Sequence, residues 1–201
     1  MAAKGPQRIL QKQQLKDSEY TLTPRELKKL IGAAPNLRDR TLIKLLAVTG
    51  MRRCEVRDLD LRDIDFPTRI LHLVGKGDKE RDIPCPGEVL TDIRYLVGHR
   101  KTGAVFQSNR GGPFVLHHIN RILAKTGELA GIKNPNPKYA VINPHLLRHT
   151  FARLWKDKGH SIESLSKILG HTSVKTTLDE YGTEDLKRVQ ANYDTAMADL
   201  F

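Results

Sequence analysis

Apolar residues recur every three or four positions along most of this chain, and the interruptions mark where its elements begin and end. In TPRELKKLIGAA, Thr23 as N-cap, Pro24 at the first helical position and Glu26 at the third form a capping box. A second helix is predicted over about 36–48, in NLRDRTLIKLLAVTG, closed by Gly50, and a third over about 52–59. The period then shortens. Short β-rich runs fall at about 62–65, 69–74 and 80–84, and the last two flank GKGD, a hairpin signal. Helical spacing returns at about 86–98 and 116–130. After the loop GIKNPNPKYAVINP, three short helices are expected in HLLRHTFARLWKDKG, SIESLSKILG and SVKTTLDEYG. Residues 183–201 carry Leu186, Val189, Tyr193, Met197 and Leu200 at spacings of three and four, the stripe of an amphipathic helix. Residues 1–20 are polar and basic without such a stripe, and read as an arm or short helix. The pattern predicts an α+β domain over 21–182, mostly α-helical with a small three-stranded antiparallel sheet, between a basic arm (1–20) and a C-terminal amphipathic helix (183–201).

Composition narrows the function classes. With 201 residues the chain can bury a real core. It holds 34 Lys plus Arg against 23 Asp plus Glu, a net charge of +11. That excess suits a polyanion, because phosphates neutralised by Lys and Arg release counterions, and it equally suits a merely basic surface. Two cysteines, Cys54 and Cys85, are too few for a disulfide framework or a four-ligand zinc site. No apolar run reaches membrane-spanning length, and the N-terminus lacks the apolar core of a signal peptide. The expected location is the cytoplasm, on the nucleoid in a prokaryote, with no membrane partner.

Four short stretches hold candidate chemistry. In NPHLLRHTF, Asn143 is a natural N-cap and Pro144 a natural first residue. His145 and Arg148 then share one face of the first turn, beside free backbone N–H groups, a plausible phosphate cradle. Taken alone, they read better as a capping histidine and a surface arginine. His145 and His149 stand four apart, a spacing that could hold a metal, but the glutamate of HExxH is missing and no third ligand is evident; no metal is expected. In TGMRRCEV, Gly50 ends one helix, Arg52 and Arg53 begin the next, and Glu55 can pair with Arg52 or cap its helix. In GKGDKER, Lys76 and Lys79 sit on a glycine-flanked hairpin tip. In GHTSVKTTLDEYG, His171 follows a helix end and Tyr181 comes ten positions later.

Each stretch alone is better explained as ordinary surface or packing; their order is not. TGMR, the hairpin with GKGDKER, PHLLRH, LGH and a following tyrosine together resemble the tyrosine recombinase (phage integrase) family, from about residue 21 to about 185. The resemblance implies catalytic roles for Arg52, Lys76, His145, Arg148, His171 and Tyr181, with Glu55 in support. It implies double-stranded DNA as partner, with Arg53, Lys79 and Arg81 as candidate DNA contacts. The family reaction needs no cofactor: a tyrosine oxygen attacks a phosphodiester, leaving a 3′-phosphotyrosyl link and a free 5′-hydroxyl, so neither metal nor ATP is required. Arg52 and Arg148 would clamp the non-bridging oxygens, with a further hydrogen bond from His171. His145 would be the base for Tyr181 and Lys76 the acid for the departing 5′-oxygen. Assembly into a tetramer on DNA is implied too, with 183–201 packing on a neighbour or folding back on its own domain.

Two features depart from the pattern. Many relatives place the tyrosine nine residues after the histidine; here the gap is ten, and Tyr193 is a second candidate, disfavoured because it lies on the apolar stripe. Twenty N-terminal residues cannot form the helical core-binding domain of most relatives, so the chain is either a minimal form, like the small fimbrial invertases, or a piece of a longer protein. The alternative function is a DNA-binding regulator on a recombinase scaffold that does not cleave.

Overall fold

The computed structural model of the protein describes residues 16–74, 80–108 and 111–182. Eight α-helices and three strands follow one another among these residues. The first, α1 (Pro24–Gly32), starts as the sequence demands: the Thr23 side chain accepts from the Glu26 N–H while the Glu26 carboxylate takes the Thr23 N–H. Next comes α2 (Leu37–Thr49), capped by the Asn36 side chain on the Asp39 N–H and ended by Gly50 in the left-handed conformation. Leu42, Ile43, Leu45 and Leu46 are all buried, because α2 packs against α1, α3 (Arg53–Asp58), α4 (Gly87–Val97) and α6 (Pro144–Asp157). It is the axle of the main core.

The sheet is three-stranded and antiparallel, in the order β1 (Ile64–Asp65), β2 (Ile70–Val74), β3 (Glu80–Pro84). Leu71, Leu73 and Ile83 point into the core, while His72, Val74 and Asp82 face out. The expected first strand is shorter than predicted. Asp60 accepts from the Arg62 N–H and turns Leu61–Asp63 into a 3-10 turn, leaving only two residues to pair. The register Val74↔Glu80 bears out the hairpin, but its tip at 75–79, with Lys76 and Lys79, lies outside the described residues.

The remaining helices are α5 (Leu116–Leu129), α7 (Ile162–Leu169) and α8 (Val174–Tyr181). Ala152, Leu165, Leu169 and Tyr181 form a small apolar cluster of their own, with Phe151, Trp155 and Ile162 packed on it. So α7 and α8 are held by a satellite core. The amphipathic helix expected at 183–201 lies outside the described residues. At the other end, residues 16–20 are not a free arm. They form a 3-10 turn on α6 and α8, with Lys16 Nζ donating to the Asp179 carbonyl and Ser18 Oγ to the Glu180 carbonyl, each at 2.7 Å. No described helix is long and apolar enough to cross a membrane.

Candidate active site

Three chain turns meet where the sequence places its candidate arginines. Gly50 closes α2 with φ +62°, and a Cβ there would stand 2.6 Å from Phe151 Cδ1 and 2.9 Å from Leu169 Cδ2. The glycine thus satisfies the backbone and lets α6 and α7 close on the turn. Arg148, one turn into α6 and 6% exposed, ties this junction together. Its Nη1 donates to the Gly50 carbonyl at 2.6 Å, and its Nη2 to the Leu169 carbonyl at 2.9 Å. Burial, with Arg52 nearby, lowers its pKa to about 10, so it remains charged at neutral pH.

Arg52 is not on the helix, as the sequence suggested, but at its N-cap, with extended backbone. The Glu55 carboxylate reaches back to the Arg52 N–H at 2.7 Å and to its Nη1 at 3.0 Å. The same carboxylate receives both terminal nitrogens of Arg81, at 2.9 and 2.7 Å. Burial alone would raise the Glu55 pKa; Arg81 and Arg52 outweigh it and hold the group below its ordinary value. Arg81 Nε donates to the Ile168 carbonyl, fixing β3 to the end of α7. Gly170, at φ +66°, makes room: a Cβ there would fall 2.8 Å from Arg81 Cδ. Arg81, expected from the sequence to contact DNA, has its guanidinium engaged by Glu55 and the end of α7, and it shares the Glu55 carboxylate with Arg52. Arg53, by contrast, is exposed at the start of α3.

His171 sits just past the end of α7, which Gly170 closes in the left-handed conformation. Its Nε2 lies 3.1 Å from Arg148 Nη2 and its Nδ1 2.8 Å from Thr177 Oγ1. An arginine nitrogen can only donate, so Nε2 accepts, and the ring hydrogen is on Nδ1, donated to Thr177. Burial and the nearby Arg148, Arg52 and Arg81 lower the His171 pKa to about 4, consistent with a neutral ring. The donor expected from the sequence is thus an acceptor in this state. Arg52, Glu55, Arg81, Gly170, His171 and Thr172 line one open cleft. Arg52 and Arg148 line a second cleft with Arg53, Asn143 and His145.

Tyr181 ends α8, 6% exposed. Its hydroxyl lies 2.8 Å from Nδ1 of His149, the residue after Arg148. Burial and the adjacent Glu180 carboxylate raise the Tyr181 pKa above its ordinary value, so the phenol is protonated. His149 is 9% exposed, and burial, with His145 and Arg148 beside it, lowers its pKa to about 4. His145 is exposed and stacks on His149 with ring centroids 5.7 Å apart; among the described residues it makes no hydrogen bond to Tyr181. The imidazole on the hydroxyl is therefore not the one the sequence suggested. The sequence offers His149 only as a possible metal ligand, whereas its Nδ1 meets the Tyr181 hydroxyl. Sequence reasoning also misses the pairing of Arg81 with Glu55, 26 residues apart, and that of Thr177 with His171, six residues apart across the turn from α7 to α8. Thr177 left one signal: it lies four residues before Tyr181, on the same helical face.

The Phage integrase family pattern matches residues 20–188. The chain is 36% identical over 165 residues to tyrosine recombinase XerA of Pyrococcus furiosus, covering 78% of this chain and 55% of that protein. It is 36% identical over 172 residues to tyrosine recombinase XerD of Corynebacterium glutamicum, again covering 78% and 55%. It therefore spans about half the length of these curated relatives. Among solved structures, the crystal structure of XerA recombinase superposes with a TM-score of 0.73 at 30% identity, covering 86% of this chain and 64% of that one. A family match over most of the chain and a shared fold, on top of the arginine–histidine junction just described, lead to one statement: the chain belongs to the phage integrase family.

Proposed function

We propose that this chain is the catalytic part of a site-specific DNA recombinase that cleaves and rejoins double-stranded DNA through a covalent 3′-phosphotyrosyl intermediate. The observation that carries the reading is the junction at Gly50 and Leu169. There the Arg148 guanidinium meets the His171 imidazole, Arg52 reaches toward the adjoining Gly170 carbonyl, and a phenol is held one residue further along α6. Attack by Tyr181 on a phosphodiester builds negative charge on the non-bridging oxygens. Arg148, rigidly held by two carbonyls, and Arg52, steadied by Glu55, would meet that charge at little reorganisation cost. His171 joins them as a donor once a phosphate favours a hydrogen on Nε2. His145, exposed at the first turn of α6, adds a contact to the same phosphate. Lys76 is the proposed acid on the leaving 5′-oxygen, and Arg53 and Lys79 contact the DNA backbone. Self-association into a tetramer on DNA, the domain limits given above and action in the cytoplasm belong to the same reading.

The test is a nicked duplex whose cleaved fragment diffuses away, trapping the covalent complex on a denaturing gel. Wild type should give a DNA-linked band, and Tyr181→Phe none, while both retard DNA in a native gel. Arg52→Ala should slow adduct formation by about 10²–10³-fold, the loss typical of one transition-state donor. Retardation without any adduct in wild type would favour the non-cleaving regulator instead.

A further inference from the structure

The recombinase reading requires Tyr181 to leave its buried position, and the inference here rests on that reading. We propose that the turn at 16–20 is an autoinhibitory latch: through Lys16 and Ser18 it grips the last turn of α8 and keeps Tyr181 in its covered position. The latch has a fixed side. Just after the turn, the Leu22 N–H donates to Thr150 Oγ1 of α6 at 3.0 Å, and both residues are buried. The Asp17 carboxylate accepts from Asn136 Nδ2 at 3.1 Å and from Lys138 Nζ at 2.9 Å, tying the turn to the loop between α5 and α6. Glu19 closes the turn on itself, its carboxylate taking the Lys16 N–H at 2.7 Å.

The releasable side is the C-terminal end of α8. The last four carbonyls of a helix have no partner inside it. In α8 the carbonyl of Leu178 takes the Gly182 N–H, and the next two, of Asp179 and Glu180, take Lys16 Nζ and Ser18 Oγ. An ammonium there also meets the negative end of the helix dipole. Both contacts are made by side chains, from residues 163 and 162 positions away, so they can break while turn and helix stay formed. The seam is open to solvent, a groove lined by Lys16, Ser18, Thr176, Asp179 and Glu180.

The grip falls where it governs the phenol. Tyr181 directly follows the two held carbonyls, and its hydroxyl meets His149 Nδ1 at 2.8 Å and the Glu180 carboxylate. That carboxylate and the carbonyl held by Ser18 belong to one residue, so the latch and the cover over the phenol share an anchor. Apart from the latch, α8 is tied by Thr177 to His171, by Tyr181 and Glu180 to His149, and by the small apolar cluster. Against so few ties, two further hydrogen bonds of ordinary net strength shift the release of the helix on the order of tenfold.

A latch and a scaffold differ in the sign of what their loss does. Weakening a scaffold for the attacking geometry slows cleavage; weakening a restraint on the tyrosine speeds it. The test follows adduct formation on the nicked duplex in single-turnover form, at saturating DNA so that any loss of affinity at Lys16 does not enter. Wild type is compared with Ser18→Ala, with the double variant Lys16→Ala and Ser18→Ala, and with Lys16→Arg, each below its melting midpoint. The double variant should form adduct roughly tenfold faster, the loss expected from two ordinary hydrogen bonds, and Ser18→Ala should gain less. Lys16→Arg keeps a charged donor and should react at the wild-type rate. Adding Tyr181→Phe to the double variant should abolish the adduct, which ties the gain to this tyrosine. If the double variant melts too low to assay, Ser18→Ala, which loses a single hydroxyl, decides alone. Folded variants that cleave at the wild-type rate or more slowly would overturn the latch and leave the recombinase reading standing. No adduct from wild type or from any variant would overturn the recombinase reading, and the latch with it.

Discussion

Arg148 is held by two buried carbonyls, so its removal strands acceptors as well as losing a charge. Arg148→Ala should destabilise the fold by about 2–4 kcal/mol, from the cost of leaving buried polar groups unpaired. Equilibrium urea unfolding measures it; an unchanged midpoint would mean those bonds are dispensable. Titration at the site has a definite sign. His149 and His171 have folded pKa values lowered from 6.5 to about 4, so the unfolded chain binds their protons first. The stability they contribute is complete above pH 6.5 and is lost as pH falls toward 4. Glu55, held below its ordinary 4.5, adds a further loss at still lower pH, as its folded form is protonated. Urea midpoints at pH 7, 5.5 and 4.5 should fall in that order, and His171→Gln should flatten the upper part of the slope. Individual residues were legible in the sequence where their spacing on one helix defined them, as with His145 and Arg148. They were not where a contact spans the fold. His149 meets Tyr181 across 32 residues, and Arg81 meets Glu55 across 26, distances at which no local pattern operates.

Helix ends were the most readable elements, because caps are local chemistry: Thr23 and Asn143, both named as N-caps from the sequence, each accept a backbone N–H, and Asn36, placed inside its helix by the sequence, caps α2 in the same way. Gly50 was readable as a stop but not as a close-packing point. Gly50→Ala would force φ +62° on a residue with a Cβ and drive that carbon against Phe151 and Leu169. Melting temperature should fall and adduct formation should slow, because the carbonyl that orients Arg148 belongs to this residue. An alanine variant with full stability and activity would contradict the packing account. Residues 16–20 read as an arm because their polar side chains carry no periodicity, yet those side chains are what bind α8. Replacing Lys16 and Ser18 together by alanine should speed hydrogen exchange of the 174–182 amides, since two anchors to the Asp179 and Glu180 carbonyls are lost. Unchanged exchange would place the stability of α8 entirely in its apolar cluster.

Across the whole molecule, a continuous core around α2 carries a satellite that holds the tyrosine helix. If the proposed function holds, this division puts the arginines that would bind phosphate beside the larger core and the tyrosine that would attack on the smaller cluster. Tyr181 is protonated and buried, so the proposed attack requires α8 to move, and the hydrogen bond of Thr177 on the same helix ties α8 to His171. The fold class was readable from periodicity, but this division was not, since it depends on which apolar faces meet. The net charge of +11 predicts binding that rests on phosphate contacts. With six such contacts, affinity for duplex DNA should fall by about 10³-fold between 50 and 200 mM salt, and salt-insensitive binding would contradict this. The proposed function stands or falls on Tyr181 as the nucleophile that becomes joined to DNA. Mass spectrometry of the DNA-linked peptide from the wild-type nicked-duplex reaction tests it most directly. The account predicts a single modified residue, Tyr181, joined to a 3′-phosphate; a link at Tyr193, or an adduct persisting in Tyr181→Phe, would contradict it.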